Sequence, residues 1–150
     1  MSRLATEIHI PAPREEVWAV LTDFANYPRW SPTIQSISGE LQVGSRLTVR
    51  ILGPGNRATT VTPTVLAVQP NHLLRWDAVL LHRGLLSGVH EFRLCEAEGD
   101  STRLIQSDTY SGFLAPLLGR LLAANEPLMR RQDTALHGRV RPAAAVTEQR

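Results

Sequence analysis

The sequence predicts an α+β fold, an antiparallel sheet followed by one long helix, on three observations. Apolar and polar residues alternate with period two in successive short stretches, as they do in half-buried strands. A helical pattern bounded by prolines, from Ile10 to Pro32, interrupts them early. The chain then closes on a leucine-striped stretch from Phe113 to Val140. Strand, two helices, six strands and a long helix is the order of a sheet that buries one face and leaves the other wet.

Leu4, Thr6, Ile8 and Ile10 alternate with Ala5, Glu7 and His9 and form the first strand. Pro13 suits the first helical position, where a missing N–H costs nothing, and Glu15 and Glu16 complement the positive helix start. Val17, Val20, Leu21 and Phe24 give that helix one buried face. Trp30 falls on a second, short helical turn limited by Pro28 and Pro32. Ile34 to Leu41 reads as a strand ending near Gly39, and Leu47, Val49 and Ile51 alternate with Arg46, Thr48 and Arg50 in the next. The GPGN segment, residues 53–56, is a turn. Ala58 to Val68 is extended, with Pro63 expected to bulge it or leave it on an edge. After a turn at Pro70-Asn71 come three strands, about 72–81, 87–96 and 102–110, joined at Gly84 and at Glu98-Gly99-Asp100. In the last helix Leu114, Leu117, Leu118, Leu121, Leu128 and Leu136 make one stripe. Pro127 should remove a backbone bond to Ala123 and kink the rod.

With 150 residues, 43% of them hydrophobic, one domain is expected over residues 1–140, with a flexible tail over 141–150. No apolar run reaches the length of a membrane span, and no charged-then-apolar leader opens the chain, so a cytoplasmic protein of bacterial type is expected. The net charge of +2 comes from arginines in a chain without lysine. Arg3, Arg46, Arg75, Arg93, Arg103 and Arg120 are dispersed, and Arg130, Arg131, Arg139 and Arg141 read as a solvated helix face. A nucleic-acid partner would want them gathered on one face between aromatic platforms, and none is expected. Cys95, the single cysteine, excludes an internal disulfide and a multi-cysteine metal site. It falls on the outer face without an activating histidine nearby in sequence, so it is no nucleophile. His9, His72, His82 and His137 lack metal-ligand spacing, and HExxH, P-loop and GxGxxG patterns are absent. No metal and no cofactor is expected.

Closing the turn over 96–101 sets Leu94 opposite Leu104, Phe92 opposite Gln106 and His90 opposite Asp108. Closing the turn near Arg83 sets Trp76 opposite His90 and Leu74 opposite Phe92. One face then carries Leu74, Trp76, Ala78, Leu80, His90, Phe92, Leu94, Leu104, Gln106, Asp108 and Tyr110. The other carries Arg75, Asp77, Glu91, Arg93, Arg103, Ser107 and Thr109, and a one-residue slip would bury several of these charges. On the first face His90, Gln106 and Asp108 are polar among apolar neighbours, where burial without partners costs about 1–3 kcal/mol each. A carboxylate–imidazole hydrogen bond between Asp108 and His90 would orient the ring and raise its basicity. Such a pair can anchor a carbonyl or phenol, serve as general acid and base, or satisfy itself in the core. Trp76 and Tyr110 could stack on a planar ligand or pack as core. Asn125 either points its amide into the interior or caps the carbonyls freed near Pro127.

Pro11, Pro13, Val17, Trp18, Leu21, Asp23, Tyr27, Trp30 and Pro32, with GLLSGVHEFRL and TRLIQSDTYSGFLAPL downstream, resemble the START-like superfamily. Within it the chain looks like the bacterial polyketide cyclase/dehydrase-like (SRPBCC) proteins, over residues 3–138. The resemblance implies a helix-grip (Bet v 1-like) fold, a curved antiparallel sheet wrapped around a long C-terminal helix with a cavity between them. The scaffold hosts several functions. Binding of a hydrophobic small molecule of lipid, polyketide or isoprenoid type is the first expectation. Its binding residues would be Trp76, His90, Phe92, Gln106, Asp108, Tyr110, Leu118, Leu121 and Asn125. The alternative is a polyketide cyclase/dehydratase-type enzyme with catalytic His90 and Asp108 as acid and base. A third reading is a module holding a protein or membrane-borne partner, with Leu85-Leu86 and Phe113-Leu114 at the cavity rim. A homodimer is compatible with all three.

Overall fold

β1 (Ser2–Ile10) opens the computed structural model, which describes residues 2–79 and 84–148, with backbone only at Ser2, Pro54 and 141–148. α1 (Arg14–Thr22) follows, with Pro13 at the N-cap, one residue earlier than expected. There its carbonyl accepts from Glu16 and Val17 N–H while its own missing donor is not needed. Val17 and Leu21 are fully buried, and Val20 and Phe24 partly so. A 3₁₀ turn over Phe24–Arg29 carries Tyr27 into the core, where its hydroxyl donates to the Leu21 carbonyl and its ring lies 4.7 Å from that of Trp30.

β2 (Ile34–Ser38) and β3 (Thr48–Leu52) come next. The single strand expected over Ala58 to Val68 is divided at Thr62-Pro63 into β4 (Ala58–Val61) and β5 (Thr64–Gln69). Its register against β3 nevertheless continues through the break. Val49 faces Val61, the Leu47 N–H donates to the Pro63 carbonyl, and Arg46 bridges Thr64. Proline supplies an acceptor but no donor, so the strand can pair on one side only at that point. β5 pairs with β6 (Leu73–Val79), whereas β4 pairs with β3 alone. The result is a five-stranded sheet, β1-β8-β7-β6-β5, continued by a three-stranded one, β2-β3-β4.

β7 (Ser87–Ala97) and β8 (Ser101–Ser111) form the central hairpin. Their register is the expected one, with His90 opposite Asp108, Phe92 opposite Gln106 and Leu94 opposite Leu104. On the other side Trp76 faces His90 and Leu74 faces Phe92. Leu80 and the turn near Arg83 lie outside the described residues. On the outer face Arg75 and Arg93 both reach Glu91, at 2.6 and 3.3 Å.

The C-terminal region is not one kinked rod. A turn over residues 113–118 leads into α2 (Gly119–Ala123), and α3 (Asn125–Glu148) starts after a break at Ala124. Pro127 cannot donate to Ala123, so the helix restarts just ahead of it, and the proline sits in a first turn that needs no donor. α3 runs on past Val140, where the sequence reading ended the domain. The leucine stripe is also displaced: Leu117 and Leu121 are exposed, and the buried positions are Leu122, Met129, Gln132, Asp133, Leu136 and Val140. No helix of the described residues is long and apolar enough to cross a membrane.

The main core joins β1, α1 and the concave strands to Leu136 and Val140, and a smaller cluster gathers Leu86, Tyr110, Ala115 and Leu122. Gly112, at the exit from β8, has φ +110, and a Cβ there would stand 2.5 Å from the Leu85 carbonyl oxygen. Gly99, at φ +71 in the β7–β8 turn, has nothing within 4 Å of such an atom. We expect Gly112→Ala to destabilise by about 3 kcal/mol or more and Gly99→Ala by only about 1 kcal/mol, as urea unfolding would report. Equal losses would contradict the close approach at Gly112.

Candidate functional site

The concave face of β6, β7 and β8, the inner side of β3–β4 and the start of α3 enclose a cavity of about 300 Å³. Ile34, Val49, Ile51, Val61, Leu128 and Met129 supply apolar wall. Trp76, His90, Gln106, Asp108 and Tyr110, which the strand register puts on one face, also line it, as does Asn125 from the start of α3. Phe92 does not: it is buried behind the wall, edge-on to Trp76 and His90. Leu121 is 59% exposed and Leu118 packs on the smaller cluster, so neither reaches the cavity. Both were placed there by a helix phase that the structure does not adopt. At the expected rim, Leu85 and Phe113 are exposed but Leu86 is buried.

Two polar strings converge on β8. In the first, Asn125 Nδ2 donates to the Tyr110 hydroxyl at 2.8 Å, Tyr110 donates to Asp108 Oδ2 at 3.1 Å, and Asp108 Oδ1 pairs with His90 Nδ1. In the second, Gln106 Nε2 donates to Asp133 Oδ1 at 2.7 Å and to the Met129 carbonyl at 3.2 Å, while Thr6 Oγ1 donates to Asp133 Oδ2 at 2.6 Å. With both amide protons so used, Gln106 offers its oxygen to the His90 ring, to which it is hydrogen-bonded.

His90 therefore faces acceptors in Asp108 and Gln106, and both favour its protonated form. Burial alone would lower its pKa; the Asp108 charge and hydrogen bond, then Gln106 and Asp133, outweigh burial and raise it. Trp76 stacks on the ring at 5.6 Å and 23°, an arrangement that favours the cation. Burial pushes the Asp108 carboxyl up, but His90 and Tyr110 bring it below the ordinary carboxylate value. Asp133 is raised, because burial outweighs its partners Thr6 and Gln106. Burial and the neighbouring Asp108 raise the Tyr110 phenol.

Sequence reasoning missed Gln132 and Asp133, both 3% exposed. Their signal was the spacing of Leu122, Asn125, Met129, Gln132, Asp133, Leu136 and Val140, a helical stripe in which two members are polar. Among the described residues no group of histidine, cysteine and carboxylates could hold a metal ion.

The family model described as "Polyketide cyclase / dehydrase and lipid transport" matches residues 1–141. The chain belongs to the polyketide cyclase/dehydrase and lipid transport family. Solved structures agree on the fold. An aromatase/cyclase from a Streptomyces species aligns with a TM-score of 0.75 at 15% identity over 93% of each chain. A norcoclaurine synthase point mutant from Thalictrum flavum, in complex with a transition-state analogue, gives 0.73 at 15% over 95% of this chain and 96% of that one. A START superfamily protein from Mycobacterium smegmatis gives 0.73 at 19% over 94% and 98%. No curated protein sequence matches the chain. This member of the polyketide cyclase/dehydrase and lipid transport family thus has the helix-grip fold, with its cavity between sheet and helix.

The paired charges make stability depend on pH in two directions. His90 is raised above 6.5, so its contribution is complete below that pH and is lost as pH rises through the folded value. Asp108 is lowered, so its contribution is present above the ordinary carboxylate range and is lost as pH falls through the lower folded value. Urea midpoints from about pH 2 to about pH 9 should show both arms, and Asp108→Asn should remove both. The His90 ring, followed by NMR, should titrate at lower pH in Asp108→Asn than in the native chain.

Proposed function

We propose that the protein binds an apolar small molecule of lipid, polyketide or isoprenoid type between its sheet and α3. The observation that carries this reading is a cavity of about 300 Å³ whose wall surface is mainly apolar and whose charged groups have one another as partners. That volume sits at the lower end of small-molecule pockets and suits a compact ligand. Asp108 is occupied by His90 and Tyr110, and Tyr110 by Asp108 and Asn125. The surface offered to an occupant is therefore less polar than the list of side chains suggests. The family description, which includes lipid transport, supports the same reading.

One feature favours a second reading, an acid/base enzyme of cyclase/dehydratase type. A cavity-wall histidine whose pKa an adjacent carboxylate raises can serve as a proton donor with a built-in counter-charge. Among the similar structures are an aromatase/cyclase and a norcoclaurine synthase. For His90 to give its proton to a substrate, that substrate has to replace Asp108 or Gln106 at the ring.

Ala78 lines the cavity and is only partly buried, so Ala78→Trp should fill it without unfolding the sheet. Native mass spectrometry and displacement of a hydrophobic fluorophore should show binding to the native chain and at least a roughly tenfold loss in Ala78→Trp. Unchanged binding in a folded variant would remove the cavity reading. For any substrate found, His90→Ala turning it over at the native rate would eliminate the enzymatic one.

A further inference from the structure

Phe113, Leu117 and Leu121 recur at four-residue spacing through the turn over 113–118 and α2, and they stand in solvent, 76, 73 and 59% exposed. Helical bonds from the Leu118 N–H to the Leu114 carbonyl and from the Leu122 N–H to the Leu118 carbonyl keep the three on one side. Leu85, 41% exposed, joins them, because the Phe113 N–H donates to the Gly84 carbonyl at 2.8 Å and the Leu114 N–H to the Leu85 carbonyl at 2.9 Å. Ala115 and Leu122, on the opposite side, are buried with Leu86 and Tyr110 and hold the segment against the body of the protein. Four large apolar side chains grouped in solvent differ from singly scattered surface leucines and mark a docking surface.

The charge of that surface narrows the partner. Across residues 84–88 and 111–125 the one ionisable side chain is that of Arg120, which is exposed. An isologous pair of chains would bring two such arginines to one face with no carboxylate there to meet them. An anionic lipid surface supplies the counter-charge, and its acyl region takes leucine and phenylalanine without needing hydrogen bonds. Position points the same way. Gly88, near the start of β7, and Tyr110, near the end of β8, lie next to this surface and line the cavity. α3 joins the cavity wall at Asn125, directly after the break at Ala124.

We propose that Leu85, Phe113, Leu117 and Leu121 dock the protein on an anionic phospholipid membrane, with Arg120 at the headgroups. The choice of a membrane rests on the reading of the cavity as an apolar-ligand site, because a guest of that kind dissolves in lipid rather than in water.

The probes are vesicles of phosphatidylcholine alone and of phosphatidylcholine mixed in equal parts with phosphatidylglycerol, with no ligand added. In flotation the native chain should bind both, the mixed vesicles more tightly. Leu117→Asp should lose at least roughly tenfold on either. Arg120→Gln should lose roughly fivefold on the mixed vesicles and little on the neutral ones. An unchanged preference for the mixed vesicles in Arg120→Gln overturns the part given to that arginine. A native chain that binds neither vesicle, or a Leu117→Asp chain that binds as the native one does, overturns the proposal. Either result leaves the cavity reading intact, since fluorophore displacement tests that reading without vesicles. A native dimer that Leu117→Asp makes monomeric, with vesicles unbound, also overturns it and gives the surface to a second copy. Should Leu117→Asp not fold, Leu121→Asp takes its place on the same terms.

Discussion

The carboxylate of Asp133 ties the last helix to the sheet, and the cavity owes its shape to that contact. One oxygen accepts from Thr6 on β1 and the other from Gln106 on β8. A buried carboxylate is costly unless its lone pairs are filled, so the helix cannot rotate without leaving that cost unpaid. Fixing Asp133 fixes the phase of α3. Gln132 then turns toward Ser31 and Thr33, Met129 turns its side chain to the cavity, and Asn125 meets Tyr110. Leu136 and Val140, one and two turns on, complete the main core.

The same contact governs His90 at one remove. Asp133 and the Met129 carbonyl both take protons from Gln106, so the glutamine can present only its oxygen to the imidazole. The charge of the ring on β7 is therefore biased from α3, through one side chain on β8. Helix position and histidine charge are linked, and neither is a property of the hairpin alone.

The central hairpins were legible in the sequence because two constraints act on them together. Short turns limit the pairing, and the charges of Arg75, Glu91, Arg93 and Arg103 penalise any slip. The helix phase was not legible in the same way. Leucines occupy several faces of residues 114–128, so identity alone favours a stripe containing Leu117 and Leu121, which lie outside. The true stripe includes Gln132 and Asp133, residues that composition assigns to the surface and that only their partners on β1, β8 and the β2 approach can bury. The division at Pro63 was half legible. Proline marks the place where pairing must fail on one side, but only the fold decides that β4 leaves β6 while keeping β3.

A cavity lined by a histidine and a carboxylate would ordinarily attract polar or charged occupants. Here the two groups pair in direct contact, the hydroxyl of Tyr110 donates to the second oxygen of Asp108, and the amide of Asn125 donates to that hydroxyl. What faces the interior is then largely ring, methylene and methyl surface, which water solvates poorly and an apolar ligand covers well. A neutral ligand leaves that pairing undisturbed, whereas an anion would compete with Asp108 for His90 and a cation would compete with His90 for Asp108. Either charged guest would have to recover the pair's attraction in an interior where charges are poorly screened, so under the proposed binding role the arrangement would favour neutral molecules before any shape is considered.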